Sequence, residues 1–428
     1  MSRLALVPLL IWIYLLVGHG RFWRTDVRLP HADPPSAWPS VAVVVPARDE
    51  GGILAQTLPT LLAQDYPGAA HLFLVDDRST DGTAELATTL AAAETPGSPS
   101  QGRPGPGSRS QGRSGPGLTI VAGAERPPGW AGKLWAVEQG VRAATAARAA
   151  TGGGAPAGPA TAAAPFPTPA YLLLTDADIA HPPDSLRRLV AWAEAADLDE
   201  VSLMARLRTV TGWERLLIPA FVYFFAELYP FRRVNRPARR TAAAAGGCVL
   251  VRASALERAG GVSAVRGAVI DDVALARSLK ASGATIWLGL ADDVCSVRPY
   301  PGLGDLWDMV ARSAFTQLRY STLLLAGTVV GLAVTFLGAP AALVAGIVTG
   351  DAPAALAGAG AWLVMAATYV PMIRYYRLPA WRALTLPAVA CLYAAMTVTS
   401  AVRHWRGGVT WKGRSYSSRR RTKGAPVP

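Results

Sequence analysis

Uninterrupted apolar runs of four or five residues alternate with longer amphipathic stretches in the first half of the chain. Such short apolar runs predict strands buried on both faces, which is typical of a parallel sheet covered by helices. The pattern therefore predicts an α/β fold whose ligands bind at the carboxyl ends of the strands. The predicted strands cover residues 41–45, 71–75, 118–121 and 171–174, and the helices that follow them cover 53–64, 83–93, 131–149 and 184–196.

Apolar segments outside this region are candidates for membrane helices. Residues 4–18 carry no charge but are short for a span, which needs about 20 residues. A cleaved signal peptide is the alternative, although the sequence RFWR follows where small residues would mark a cleavage site. Residues 322–350, 355–373 and 384–402 are each apolar enough and long enough to span.

Positive charge accompanies these segments. The formal net charge of the 428-residue chain is +13, and no acidic residue follows Asp351. Basic residues beside apolar spans suit anionic lipids, and their placement argues against nucleic-acid binding. Because the loop 374–382 and the tail are both basic, full crossing by 384–402 would violate the positive-inside rule. Either one C-terminal segment is re-entrant, or 322–350 makes two short passes with a break near Gly338.

Two segments of low complexity interrupt the α/β region. Residues 95–117 and 150–169 consist almost entirely of small residues, proline and a few polar side chains, which predicts disordered inserts. Three cysteines without a paired spacing exclude a disulfide framework and a zinc cluster. The predicted organisation is an N-terminal membrane anchor at 1–24, an α/β domain at 38–320, a C-terminal transmembrane region at 321–403 and a basic cytoplasmic tail at 404–428.

Acidic residues follow three of the predicted strands. Carboxylates gathered on one rim repel each other unless a cation or a hydrogen-bond donor compensates. Mg²⁺ commonly takes one or two carboxylates together with substrate phosphates. A strand-end D-x-D sequence can face both carboxylates into one cleft, although a turn or a helix cap is the alternative. The residues are Glu50 after the first strand, Asp76 and Asp77 after the second, and Asp176 and Asp178 after the fourth.

Two further segments offer charged side chains for chemistry. Asp271 and Asp272 open a predicted helix that runs to about residue 282, where capping alone is the alternative reading. Lys133, in the sequence GWAGKLWA, lies at a helix start that could receive an anion, or it is an ordinary surface lysine. Helix capping explains Asp81 in DDRSTDGT but does not explain Asp76 and Asp77, which could accept hydrogen bonds from a base or from ribose hydroxyls.

The sequences VVVPARDE, LVDDRSTDGT, LLLTDADI and VIDDVALARSLKASG resemble, in order, spacing and strand-end placement, the motifs of family 2 glycosyltransferases of the GT-A fold. The resemblance covers roughly residues 40–320. With the apolar ends, GWAGKLWA and WKGRSY, the chain is most similar to the membrane glycosyltransferases associated with hopanoid biosynthesis. The resemblance implies a Rossmann-like, mixed and mostly parallel sheet with flanking helices, plus N-terminal and C-terminal transmembrane helices.

The resemblance also implies an activity. It implies inverting, metal-dependent transfer of a hexosyl or N-acetylhexosaminyl group from a nucleotide sugar, with UDP as the expected nucleotide, to a lipid acceptor such as a hopanoid. The expected location is the bacterial inner membrane, with the catalytic domain in the cytoplasm. Asp272 would be the catalytic base with Asp271 beside it, and Asp176 and Asp178 would bind Mg²⁺ or Mn²⁺. The implied donor contacts are Pro46, Arg48, Glu50, Asp76, Asp77, Lys133, Asp176 and Arg319.

Several features leave alternatives open. Related membrane enzymes carry a (Q/R)-x-x-R-W element, whereas residues 316–320 read TQLRY, which keeps Arg319 but replaces tryptophan by tyrosine. Residues 213–231 predict either an interfacial helix or a buried core helix. A non-catalytic subunit that binds nucleotide sugar, or a processive polysaccharide synthase, are the alternative functions. A dehydrogenase is excluded because no G-x-G-x-x-G follows the first strand.

Overall fold

The computed structural model describes residues 2–94, 115–146, 166–406, 409–411 and 414–416. Most of the two predicted inserts, 95–117 and 150–169, and most of the basic tail lie outside the described residues. The chain divides into two compact units. The sheet unit comprises Val17–Val210 and Phe221–Pro299, and the helical unit comprises Met1–Leu16, Thr211–Ala220 and Tyr300–Pro428.

The sheet unit is built on an eight-stranded mixed sheet with the strand order β3-β2-β1-β4-β7-β6-β8-β5. Strands β1 to β4 pair in parallel, and β6 is parallel to β8. Strand β7 runs antiparallel to both of its neighbours. The strands are β1 (Val41–Ala47), β2 (Ala70–Asp76), β3 (Gly117–Ala122), β4 (Tyr171–Thr175), β5 (Ile179–Ala180), β6 (Glu200–Arg206), β7 (Cys248–Arg252) and β8 (Ile286–Ser296).

Helices follow the first strands as the apolar pattern predicts. In α2 the buried residues Leu54, Leu58 and Leu61 recur at helical spacing and form the face that packs into the core. The helices are α1 (Ser2–Val17), α2 (Gly51–Leu62), α3 (Thr83–Glu94), α4 (Gly132–Ala146), α5 (Ser185–Ala195), α6 (Gly212–Leu228), α7 (Phe231–Val234), α8 (Ala253–Arg258), α9 (Asp271–Ala281), α10 (Leu303–Ala311), α11 (Ala314–Gln317), α12 (Thr322–Leu332), α13 (Gly338–Thr349), α14 (Ala352–Tyr375) and α15 (Leu386–Trp405).

The predicted fold class is confirmed, and two local findings refine it. Helix α6 has Leu217, Ile218, Val222 and Tyr223 fully buried, which favours the core-helix alternative for 213–231, and its exposed end at Leu228 leaves an interfacial position as a prediction. Phe166, within the segment 150–169, is buried with its ring near those of His71 and Phe73, which draws the end of that segment into the folded unit.

Apolar helices make up most of the helical unit. Among the described residues, three helices are long and apolar enough to cross a membrane, namely Thr322–Thr349, Ala352–Tyr375 and Ala380–Trp405, as the hydropathy pattern predicts. The first does not break near Gly338: α12 continues through a π-helical turn at Ala333–Leu337 into α13. A Cβ on Gly346 or on Gly358 would collide with the backbone of the neighbouring helix, so glycine is what allows α13 and α14 to pack closely. Near the end of the chain, β9 (Val409–Trp411) and β10 (Arg414–Tyr416) pair antiparallel.

Candidate active site

The carboxyl ends of β1, β2 and β4 lie on one edge of the sheet because these strands are parallel neighbours. Two loops on this edge are joined by hydrogen bonds. The amide of Gly51 donates to Oδ2 of Asp81 at 2.8 Å, and the amide of Thr80 donates to Oδ1 of Asp49 at 2.8 Å. Asp49 and Asp81 therefore stabilise the rim itself.

The predicted donor contacts Arg48 and Asp77 touch each other on this rim. Nη1 of Arg48 donates to the carbonyl oxygen of Asp77 at 2.8 Å and lies 3.8 Å from its Oδ2. Asp77 is buried, whereas Asp76 is partly exposed and accepts a hydrogen bond from the amide of Ser79. The contact between a nucleotide and these residues stays a prediction.

Asp176 and Asp178 lie in a turn, because β4 ends at Thr175. The amide of Ile179 donates to the carbonyl of Asp176, which closes that turn. The alternation of side-chain direction along a strand therefore does not apply to Asp176 and Asp178, and the two side chains contact different residues. Oδ1 of Asp176 lies 2.7 Å from Nζ of Lys133, whereas Oδ2 of Asp178 accepts hydrogen bonds from Ser296 and Arg298.

Three of the predicted carboxylates meet around one ammonium group. Nζ of Lys133, in the first turn of α4, is also 3.1 Å from Oδ2 of Asp271, in the first turn of α9. Asp272 is fixed beside them, since its Oδ2 accepts a hydrogen bond from the amide of Gly246 at 2.9 Å. These residues line a small cavity of about 30 Å³, which Pro46 also borders. We call Lys133, Asp176, Asp271 and Asp272 the acid cluster.

The acid cluster holds more negative than positive charge. Burial, reinforced by the charge of Asp271, raises the pKa of Asp272 to about 6 against the opposing charge of Lys133. Although the side chain of Asp176 is partly exposed, loss of solvation raises its pKa to about 6, with Lys133 opposing the shift and Asp178 and Asp271 adding to it. For Lys133 burial acts downward, but Asp176 and Asp271 outweigh it and raise the pKa of the ammonium above its usual range. The net charge of the acid cluster is therefore negative at neutral pH, which favours binding of a further cation.

The carboxylates of the acid cluster outnumber its one lysine, and this net negative charge favours binding of a hard divalent cation. Asp176 has a side chain that is 34% exposed, so it is accessible to a ligand. Within the part of the chain that the structure describes, no group of three or more histidine, cysteine, aspartate or glutamate side chains forms a complete metal centre. One or two carboxylates plus substrate phosphates is, however, the usual way for proteins to hold Mg²⁺. Asp176 and Asp178 are thus chemically suited to the predicted metal.

Arg298 is a site residue that the sequence reasoning missed. Its Nη2 donates to both carboxylate oxygens of Glu50, at 2.8 and 3.0 Å, and its Nε donates to Oδ2 of Asp178 at 2.8 Å. Glu50 and Asp178 are both buried, and this guanidinium compensates the charge of each. Arg298 lies two residues after the end of β8, and no sequence motif surrounds it. Only a prediction of β8 as a strand of this sheet could have indicated Arg298 as a site residue.

Replacing Arg298 by Met should lower the catalytic efficiency by about 10- to 100-fold, the range seen when outer residues that orient a ligand are lost. The reason is that Asp178 and Glu50 would lose the donor that fixes them. Initial rates at varied donor concentration measure the effect. Arg187→Met, which removes an exposed arginine that pairs with Asp65, is the matched control and should leave the efficiency unchanged. Equal efficiencies for both variants would contradict the orienting role of Arg298.

Arg319, the remaining predicted donor contact, belongs to the helical unit. It follows α11, is exposed and has a backbone φ of 52°. The next residue, Tyr320, stacks on His404 with ring centroids 4.5 Å apart. The predicted contact of Arg319 with a diphosphate or an acceptor stays a prediction.

Glu200, at the start of β6, is a buried acid outside the predicted set. It is 1% exposed, and neither carboxylate oxygen has a hydrogen-bond partner among the described residues. Burial first, then the charge of Asp272, raises its pKa from 4.5 to about 8, and Lys280 opposes the shift. The side chain is therefore largely protonated at neutral pH.

Glu200 should make the folding stability pH-dependent. Between pH 4.5 and 8 the folded chain keeps a proton that the unfolded chain has released, so this contribution to stability is lost as the pH rises through 8. Glu200→Gln removes the titration. The free energy of unfolding of the variant relative to wild type should therefore rise by about 3–5 kcal/mol between pH 5 and pH 9. Unfolding in detergent at several pH values measures this difference, and a constant difference would show that Glu200 does not titrate in this range.

Comparisons with known proteins identify the family and the fold of the chain. A family model described as glycosyl transferase family 21 matches residues 160–423, and one described as glycosyl transferase family 2 matches residues 42–102. No curated protein matches the chain.

Among solved structures, the mannosyltransferase PcManGT from Pyrobaculum calidifontis, in complex with GDP-Man and Mn²⁺, has the same fold. It aligns over 94% of this chain and 98% of its own, with 19% identity and a TM-score of 0.50. Glucosyl-3-phosphoglycerate synthase from Mycobacterium tuberculosis, in complex with Mn²⁺ and UDP-Glc, aligns over 65% of this chain and 78% of its own, with 14% identity and a TM-score of 0.36.

The family 21 match spans more than half of the chain and includes Asp176, Asp178, Asp271 and Asp272. The family 2 match includes the rim residues that follow β1 and β2. The prediction of a glycosyltransferase with a GT-A fold is confirmed, and the chain belongs to glycosyl transferase family 21.

Proposed function

We propose that this glycosyltransferase moves a sugar, with inversion, from a nucleotide sugar to a lipid acceptor at a membrane surface. The observation that carries the proposal is the acid cluster, in which Asp176, Asp271 and Asp272 meet at Lys133 on the rim where sheets of this kind bind ligands. PcManGT was solved with GDP-Man, and the sequence motifs resemble enzymes that use UDP-sugars, so both donor classes belong in the test.

Asp272 is the proposed base. Its carboxylate takes the proton of the acceptor hydroxyl as the hydroxyl oxygen forms a bond to the anomeric carbon of the sugar. The bond from that carbon to the phosphate oxygen breaks at the same time, and the nucleoside diphosphate leaves with the electron pair. A pKa of about 6 suits a base near neutral pH, because Asp272 is then mostly ionised yet more basic than an exposed aspartate. The amide of Gly246 holds the carboxylate in position.

Asp176 and Asp178 are the proposed ligands of Mg²⁺ or Mn²⁺. When bound, such an ion neutralises charge that develops on the leaving diphosphate. Lys133, in direct contact with Asp176, places a second positive charge beside the same groups. Arg298 keeps Asp178 oriented through its bond to Oδ2.

A lipid acceptor is proposed because the described part of the chain contains three helices that are apolar and long enough to cross a membrane. A hopanoid is the specific candidate, and it rests on the resemblance of the motifs alone. The same resemblance favours the bacterial inner membrane, with the sheet unit in the cytoplasm.

The test uses the full-length protein in detergent with a panel of UDP- and GDP-sugars, with and without a hopanoid-containing lipid extract. Release of nucleoside diphosphate and formation of glycolipid are both measured, in Mn²⁺, in Mg²⁺ and in EDTA. We expect release that depends on lipid and metal and that is lost in Asp178→Asn. Asp184→Asn, which removes an exposed carboxylate before α5, is the control and should behave as wild type. Donor binding without release in any lipid would favour the non-catalytic alternative, and release that persists in EDTA would contradict the metal.

A further inference from the structure

Seven arginines of the sheet unit come from two segments that lie about 200 residues apart in the sequence. One acidic residue, Asp26, bridges the segments, since its Oδ2 lies 3.0 Å from Nε of Arg24 and 2.5 Å from Nη2 of Arg232. We call these arginines the basic face: Arg21, Arg24, Arg232, Arg233, Arg236, Arg239 and Arg240.

Further contacts hold the two segments of the basic face together. Nη2 of Arg233 donates to the carbonyl oxygen of Gly18 at 2.9 Å. The ring of Phe22 packs edge-on against that of Tyr223, with centroids 5.2 Å apart. The arginines of both segments therefore form one surface.

The loop that carries Arg236, Arg239 and Arg240 is fixed from inside. Nζ of Lys280 donates to three carbonyl oxygens of this loop, at 2.7 Å to Val234, 3.1 Å to Arg236 and 2.8 Å to Thr241. Because the carbonyl groups turn inward to Lys280, the backbone is ordered while the three arginine side chains remain exposed.

Four of these guanidinium groups form no ion pair with any residue that the structure describes: those of Arg21, Arg236, Arg239 and Arg240. Guanidinium groups held close together on an ordered surface repel each other unless anions from outside the chain approach them. The basic face is therefore built to receive anions from outside the chain.

We propose that the basic face binds the headgroups of anionic phospholipids. Phospholipid is favoured over a small soluble anion because exposed apolar groups accompany the charge. Leu228, at the end of α6, is 59% exposed, and Val17, the last residue of the apolar helix α1, is 68% exposed. Apolar side chains next to arginines match the boundary between acyl chains and headgroups, where each arginine near an anionic surface contributes about 1 kcal/mol.

The experiment measures which lipids the full-length protein retains. Detergent-solubilised protein is equilibrated with mixed micelles of equal phosphatidylglycerol and phosphatidylcholine, repurified, and its bound lipids are quantified. Wild type should retain phosphatidylglycerol over phosphatidylcholine. The triple variant Arg236→Gln, Arg239→Gln, Arg240→Gln should lose that preference by at least about fivefold, which is the factor for about 1 kcal/mol.

Two further variants separate this surface from general effects. Arg142→Gln, Arg187→Gln, Arg258→Gln changes the net charge equally at exposed arginines outside the basic face and should keep the wild-type preference. Replacing Arg236, Arg239 and Arg240 by Lys should restore it, which a misfolded loop would not. Equal retention of both lipids by wild type, or an equal loss in the control variant, overturns the proposal. Displacement of phosphatidylglycerol by millimolar glycerol phosphate would also overturn it, because the surface would then recognise a free phosphate.

Discussion

Asp272→Asn is expected to lower the turnover number by about 10²- to 10⁴-fold, the range attributed to a positioned general base. An amide oxygen can still accept the hydrogen bond from Gly246, so the loop geometry is kept while the proton acceptor is lost. Donor affinity should change little, because the base acts on the acceptor hydroxyl. Single-turnover rates and equilibrium binding of the donor measure the two quantities separately.

The pH dependence of the wild-type activity provides a control for the assignment of Asp272 as the base. Since the pKa of Asp272 is raised to about 6, the efficiency should fall as the pH drops below 6 and the base becomes protonated. The residual activity of Asp272→Asn should fall less steeply below pH 6 than the wild-type activity does, because only Asp176, and no longer Asp272, titrates there. A variant that turns over at the wild-type rate would mean that another group takes the proton.

Lys133→Met should lower the free energy of unfolding by about 2–4 kcal/mol at pH 8. This is somewhat less than the cost of removing one partner of a fully buried ion pair, because the groups here are partly exposed. The change leaves Asp176 and Asp271 without the ammonium that lies 2.7 and 3.1 Å from them. Turnover should fall as well, since the same charge stands beside the proposed diphosphate site. The midpoint of unfolding and the rate of nucleotide release measure the two effects.

The destabilisation by Lys133→Met should itself depend on pH. Asp176 and Asp272 have pKa values of about 6, so both are largely protonated at pH 5, and removal of the lysine then costs less. Lys133→Arg keeps the charge and should retain most of the stability at both pH values. A loss of stability that is the same at pH 5 and pH 8 would indicate lost packing and not lost charge.

Much of the sheet follows from the sequence because β1 and β4 contain uninterrupted apolar runs. VAVVV and YLLLT have no polar residue before their last position, and both are buried as predicted. Strands β6 and β8 escaped prediction because polar residues interrupt or begin them: β6 starts with Glu200, and β8 carries the exposed pair Asp292 and Asp293. Those strands are buried for tertiary reasons that periodicity does not express.

The residues of the candidate site could be predicted from the sequence, but the ion pairs and hydrogen bonds between them could not. Strand-end position and motif resemblance identified Asp176, Asp178 and Asp272, because such sheets bind ligands at one edge. The partners of Asp176 and Asp178 depend on where β4 stops, and a difference of one residue there decides the direction of a carboxylate. Arg298 lies 248 residues from Glu50, a separation that no local pattern spans.

The order of the elements along the chain has a consequence for how the protein is made. All eight strands of the sheet lie between residues 41 and 296, whereas the first helix able to cross a membrane begins at Thr322. Residues 297–321 separate them, and these 25 residues take about 1–5 s to synthesise at roughly 5–20 residues per second. The sheet is thus complete in sequence before any described helix that is long and apolar enough to cross a membrane has been synthesised.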